Sequence, residues 1–221
     1  MQNRKKVIDV NKQIIALIGV VTVIVLLVVL ITSFSGKNKS TDAESQISAS
    51  DMSGHHGSEA ANDGKFQSLI GKVAPDFTLE SYDQGQVNLK QLRGKKVVLF
   101  FTEGLMCYPS CWNQMAAFGK DSVFNNNDTI TMSIAVDRKE DWKEAVDKMP
   151  ELSKAIVLFD TDRKVSNEYG VLSLSSSMHK GQFPGHTYLI IDKEGIVQFI
   201  KDDPEMGVRN DELKSELEKL E

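Results

Sequence analysis

The sequence predicts a layered α/β domain built on a mixed β-sheet, preceded by an apolar segment of membrane length and a polar stalk. Three observations carry that expectation. Strand-like and helix-like stretches alternate from about residue 69 onward. Lys96 to Thr102 (KVVLFFT) is a continuous apolar run, as a strand buried on both faces should be. Thr187 to Ile191 and Ile196 to Ile200 flank the turn Asp192-Lys193-Glu194-Gly195, which reads as an antiparallel hairpin closing the sheet.

The elements follow in order. Val73 to Leu79 alternates into a strand, Asp83-Gln84-Gly85 is a turn, and Gln86 to Leu89 forms a second strand of a hairpin. The buried strand at Lys96 leads to a helix from about Pro109 or Ser110 to Phe118, then to a strand over Ile130 to Val136. Asp137 and Glu140 match a D-x-x-E variant of the capping box. The next helix shows Trp142, Ala145, Val146 and Met149 on one face. A strand at Ile156 to Phe159, a helix at Asp162 to Tyr169 and the closing hairpin come next. Asn210 is placed to cap a last helix with Leu213, Leu217 and Leu220 on one side.

Upstream, residues 14–34 (IIALIGVVTVIVLLVVLITSF) carry no charge and span about 31 Å as a helix, close to the hydrocarbon thickness of a bilayer. The run is longer than a signal-peptide core and lacks a good small-residue cleavage site, so it reads as an uncleaved transmembrane anchor. Arg4, Lys5, Lys6 and Lys12 precede it and only Lys37 and Lys39 follow, so residues 1–13 are expected in the cytoplasm and the domain on the extracytoplasmic side. Residues 35–65, rich in Ser, Gly, Asn, Asp and Ala, read as a flexible stalk. Met52, His55 and His56 within it are a compositional hint of metal affinity and no more. Residues 66–221 form the domain.

Composition excludes several classes. Of the formal net charge of −5, residues 1–37 hold +4, which leaves −9 for the rest. An acidic domain of this kind argues against nucleic-acid binding and against electrostatic adsorption to an anionic membrane; the tether is the anchor. Two cysteines are too few for a disulfide scaffold or a four-thiolate zinc site. No phosphate-binding glycine loop, Ser–His–Asp order or HExxH motif is present.

The chemistry concentrates in Cys107-Tyr108-Pro109-Ser110-Cys111, between the most apolar strand and the start of a helix. A helix N-terminus carries partial positive charge and free N–H groups, which stabilise a thiolate and lower a cysteine pKa. Cys107 reads as the nucleophile and Cys111, one turn on, as its resolving partner. As a structural staple the pair closes only a five-residue loop, worth about 2 kcal/mol. Glu103, at the end of the strand, is a candidate proton shuttle for a thiol. His186 is a candidate acid, base or ligand, and Trp112 and Tyr108 are candidates to line a substrate groove. His179 lies in the long polar loop Ser175 to Gly181, which reads as a lid.

Ala74-Pro75-Asp76-Phe77-Thr78-Leu79, Val97-Val98-Leu99-Phe100-Phe101, the cysteine turn and Thr187 to Gly195 together resemble the redoxin group: peroxiredoxins of the alkyl hydroperoxide reductase and thiol-specific antioxidant type, and membrane-anchored thioredoxin-like proteins. The resemblance covers about residues 66–200. It implies a thioredoxin-like fold and antioxidant or thiol–disulfide oxidoreductase activity on peroxides or protein disulfides, with a thiol reductant as partner and no tightly bound cofactor. Departures from the group's patterns are visible. The P-x-x-x-T-x-x-C motif of peroxiredoxins finds Gly104 and Tyr108 in its proline and threonine places when aligned on Cys111, and Gly104 in the threonine place when aligned on Cys107. One extra residue separates the cysteines relative to C-x-x-C, and His186 stands where thioredoxins carry a proline before the equivalent strand, with Pro184 two residues earlier. The spacing C-x-x-x-C with a distant histidine is also similar to Sco-type copper chaperones, which implies Cys107, Cys111 and His186 as alternative copper ligands. Peroxidase, disulfide exchange and copper handling all remain open at this stage.

Overall fold

A computed structural model describes residues 64–220; the anchor, nearly all of the stalk and the last residue lie outside the described residues. Among the described residues no helix is long and apolar enough to cross a membrane.

Seven strands form one mixed sheet: β1 (Thr78–Ser81), β2 (Gln86–Asn88), β3 (Lys96–Phe101), β4 (Thr129–Ala135), β5 (Ile156–Phe159), β6 (Thr187–Ile191) and β7 (Val197–Asp202), in the spatial order β2-β1-β5-β4-β3-β6-β7. The three central strands β5, β4 and β3 run parallel, and the two hairpins flank them antiparallel. Among the described residues, α1 (Ser110–Lys120), α2 (Trp142–Lys148), α3 (Lys164–Glu168) and α4 (Asn210–Glu218) flank the sheet. Each of the two expected hairpins is an antiparallel pair.

Period-2 alternation sorts the side chains of the central strands onto two faces. Val97, Leu99 and Phe101 of β3, Met132 and Ile134 of β4, and Leu189 and Ile191 of β6 pack against Phe66, Leu69, Phe77, Val165 and Tyr169. Val98 and Phe100, Val157 and Phe159, and Tyr188 and Ile190 point the other way, onto Cys111, Trp112, Met115 and Phe118 of α1, Trp142 and Ala145 of α2, and Leu213 and Leu217 of α4. The sheet core is buried on both sides, which is why β3 reads as an unbroken apolar run.

Several boundaries differ from the sequence reading, each for a local reason. Asp137 and Glu140 form no capping box: the start of α2 has no side-chain cap, and the Asp137 carboxylate instead accepts a hydrogen bond from the Leu105 backbone N–H at 3.0 Å. The helix expected from Asp162 begins at Lys164, because Arg163 sits in the left-handed region at φ 61°. Its free N–H groups at Val165 and Ser166 are satisfied by the Asp160 carboxylate at 3.1 and 2.7 Å. Asn210 is the first residue of α4 and does not cap it; its side chain instead ties α4 to α1 through Gln114 (2.9 Å) and the Ala117 carbonyl (3.3 Å).

Candidate active site

The C-terminal ends of parallel strands are where an open α/β sheet gathers functional groups. β3 leads through Thr102 and Glu103 into a single 3₁₀ turn, Gly104–Met106, then Cys107, and α1 begins at Ser110. Cys107 and Cys111 are joined in a disulfide, with Cα atoms 5.4 Å apart. Both cysteines are buried, Cys107 at 4% and Cys111 at 0% exposure. The Cys111 N–H also bonds the Cys107 carbonyl at 3.0 Å, which joins the turn to the first turn of α1.

His186 belongs to this centre. Its Nδ1 lies 3.5 Å from Cys111 Sγ, and its Nε2 lies 2.6 Å from the Tyr188 hydroxyl and 3.2 Å from the Gly207 carbonyl. With Nε2–H donated to Gly207 O and Tyr188 Oη, the Tyr188 hydroxyl donates to Gln114 Oε1 at 2.9 Å and the Nδ1 lone pair faces the Cys111 sulfur, which has no proton to give while it is in the disulfide. Burial pushes the imidazole down to about 4, against the opposing pull of Asp203 and the Gly207 carbonyl, so the ring is neutral at neutral pH. The carbonyl of Gly207 is held in place by a loop that Arg209 closes on the Asp203 carboxylate with bonds of 2.8 and 2.6 Å.

Glu103 is fully buried, but its carboxylate is turned from the sulfurs toward the 173–185 loop. It accepts hydrogen bonds from the backbone N–H groups of Met178 (2.6 Å) and His179 (3.2 Å) and meets His179 Nδ1 at 3.2 Å. The structure thus makes Glu103 an anchor for that loop and gives His179 a partner. Trp112 is buried with its Nε1–H on the Gly104 carbonyl at 3.1 Å, and Tyr108, 65% exposed, meets it edge to face. Both line an open groove of about 460 Å³ together with Leu105, Met149 and Lys148. Pro184 is buried and lies off this groove, in the chain that delivers His186 to β6.

The three groups able to bind a soft metal converge as well: ligand atoms of Cys107, Cys111 and His186 all lie within 4.8 Å of one another. Two thiolates and an imidazole suit copper, and the sulfurs become ligands only once the disulfide is reduced.

Sequence reasoning missed Tyr188, Gln114, Asp203, Arg209 and the true role of Asp137. Tyr188 had a signal, since residues two apart on a strand share a face with each other and His186 stands two before it. Asp137 had one too, standing just past the C-terminal end of a parallel strand. Gln114, Asp203 and Arg209 had none; the partners of Gln114 are up to 96 positions away.

With this geometry in place, the comparison with known proteins is specific. The AhpC/TSA family model matches residues 70–200. The chain belongs to the AhpC/TSA family. Among curated relatives it is 34% identical over 134 residues to Peroxiredoxin Q, chloroplastic, of Triticum aestivum, covering 59% of this chain and 57% of that one. It is 29% identical over 136 residues to Peroxiredoxin Bcp of Escherichia coli, covering 60% of this chain and 85% of that one. The chain therefore spans somewhat more than half the length of the chloroplastic relatives it matches. Among solved structures, the reduced 2-Cys peroxiredoxin of Plasmodium vivax superposes with a TM-score of 0.58 at 25% identity, covering 68% of this chain and 95% of that one. AhpC of Mycobacterium bovis, at 21% identity and a TM-score of 0.57, shares the fold, with 68% of this chain and 91% of that one covered. The AhpC/TSA chain thus has the thioredoxin-like α/β architecture that its motifs imply.

Proposed function

We propose that this AhpC/TSA chain is a thiol peroxidase, tethered by residues 14–34 with its domain on the extracytoplasmic side of a membrane. The observation that carries the reading is the Cys107–Cys111 disulfide just past the C-terminal end of β3, with Cys107 on the turn and Cys111 on the helix. The Cys107 thiolate attacks the terminal oxygen of a hydroperoxide, the O–O bond breaks, and the alcohol or water leaves after taking up a proton. The Cys111 thiol then attacks the sulfur of the Cys107 sulfenic acid, forming the disulfide and releasing water. An external dithiol reduces the pair and is itself oxidised to a disulfide. The cycle needs no tightly bound cofactor. Its tether rests on the uncharged run of 21 residues and the four basic residues before it.

The test is stoichiometric. Reduced protein is expected to lose two thiols for each equivalent of peroxide consumed, and Cys107→Ser to consume none. Rapid reduction of a protein disulfide with no peroxide consumption would instead assign dithiol exchange. A second reading, copper binding by Cys107, Cys111 and His186, is supported by the convergence of their ligand atoms. It predicts one copper per reduced chain, lost in His186→Ala.

A further inference from the structure

We propose that Asp137 is a positioning residue for Cys107: its carboxylate fixes the one-turn segment that carries the attacking thiol. The proposal deepens the peroxidase reading and rests on Cys107 as the attacking sulfur.

β3 and β4 are parallel neighbours with Phe101 opposite Ile134, so the segments that follow them emerge side by side. Asp137 stands two residues past β4, and its Oδ2 accepts the Leu105 N–H at 3.0 Å. Gly104 is pressed against the same oxygen: a Cβ built there would overlap Asp137 Oδ2, and its φ of 63° already favours glycine. The rest of the turn is held by neutral groups. Gly104 N–H donates to Thr102 Oγ1 at 3.1 Å, while the Gly104 carbonyl accepts from Trp112 Nε1 at 3.1 Å and from Cys107 N at 3.2 Å. Asp137 is thus the ionisable member of the clamp, and it grips Leu105, two residues before Cys107 on the turn.

Its surroundings leave that charge uncompensated. Gly104–Met106 bears no ionisable side chain. Glu103, at the end of β3, is turned toward Met178 and His179. Asp160, at the end of β5, is bonded to Val165 and Ser166. On its own segment, Arg138 pairs with Asp141 and Glu140, and Asp141 adds repulsion. Among the described residues no cation pairs with Asp137. Burial pushes its carboxyl up to about 6, with the Leu105 N–H pulling the other way. The clamp is charged, and its hydrogen bond strongest, above that pH; it weakens as the carboxyl takes up a proton.

The experiment measures the reduced full chain in a Cys111→Ser background, following alkylation of Cys107 by iodoacetamide from pH 5 to 8. Asp137→Ala is expected to be roughly tenfold slower at pH 7.5, as one hydrogen bond is lost and the thiol is misplaced. Asp137→Asn is expected to match the parent at pH 5 and to fall roughly threefold behind at pH 7.5, since it keeps only a neutral acceptor. In the unmutated chain, which removes any concern about folding, the Leu105 amide proton should shift with a midpoint near 6. Parental alkylation rates in Asp137→Ala, an Asn variant that tracks the parent at every pH, or a Leu105 signal flat from pH 5 to 7 would overturn the assignment. Peroxide consumption by the same variants with Cys111 restored separates the two readings. If alkylation follows Asp137 and no peroxide is consumed, the peroxidase reading fails alone. If peroxide is consumed and the rates ignore Asp137, the positioning role fails alone.

Discussion

The two faces of the sheet are buried to a similar degree and differ in what they bury. On the face toward Phe66, Leu69, Phe77 and Val165, the contacts are aliphatic and aromatic, and the Tyr169 hydroxyl leaves the core to bond the Pro75 carbonyl at 2.7 Å. On the face toward α1, α2 and α4, the two cysteines sit among Trp112, Trp142, Phe100 and Phe118, with His186, Tyr188 and Gln114 linked between them by hydrogen bonds. The first arrangement is nondirectional and depends on volume. The second depends on partners being present, because a buried polar group that loses its partner bears the full desolvation cost. One sheet therefore separates a face of apolar contacts from a face that also carries the cysteine pair and its hydrogen-bonded histidine.

Substitutions on each face can break or sharpen that separation. The largest effect belongs to the sulfurs: Cys107→Ser should abolish peroxide turnover, while Cys111→Ser should leave a sulfenic acid at Cys107 that dimedone traps and mass spectrometry detects. On the other face, Leu99→Ala or Met132→Ala should lower unfolding free energy by about 2–5 kcal/mol in urea titrations. Alkylation of Cys107 below the melting transition should be unchanged; a loss of reactivity there would show that the faces are coupled.

Asp137→Asn is next and tests the separation from inside. The carboxyl is raised in the folded chain to about 6 from an ordinary 3.8, so its contribution to stability is fully present below pH 4 and is lost as the pH rises through 6. The amide has no such loss, so the variant should be more stable than the parent at pH 7.5 by on the order of 3 kcal/mol, with the difference gone by pH 4. Greater stability combined with slower Cys107 chemistry is the signature of a residue kept for position. Smallest is Tyr188→Phe, expected to cost about 1 kcal/mol in the same titration, because Gln114 Oε1 keeps the Arg209 N–H and His186 keeps the Gly207 carbonyl.

Much of this was legible before the structure. The bounds of β6 coincide with the expected strand, and the run at Lys96 is the strand buried on both faces that it was read to be. Apolar periodicity is a property of neighbouring residues and survives in one dimension. The Cys107–Cys111 pair was legible for the same reason, with both partners inside one turn. What was not legible was the partner of a polar residue when that partner is remote in sequence. Asp137 reads as a cap because Glu140 is near it in sequence, yet its bond runs to Leu105, 32 positions away. Glu103 stands near Cys107 in sequence, and the backbone N–H groups it holds are 75 and 76 positions on. His186 lies 75 positions from Cys111, and in the sequence only the resemblance to known families links the two.

The docking of α4 has a consequence in time as well as in space. Asn210 bonds Gln114, Gln114 bonds Tyr188, and Tyr188 bonds the histidine that faces the buried sulfur. The chain is made from its N-terminus, so both cysteines leave the ribosome about a hundred residues ahead of the helix that completes this relay. During synthesis the thiols lack the neighbours that later order them, and their first oxidation state is set by the surroundings of the nascent chain. The relay that reaches the buried sulfur is complete only once α4 has docked.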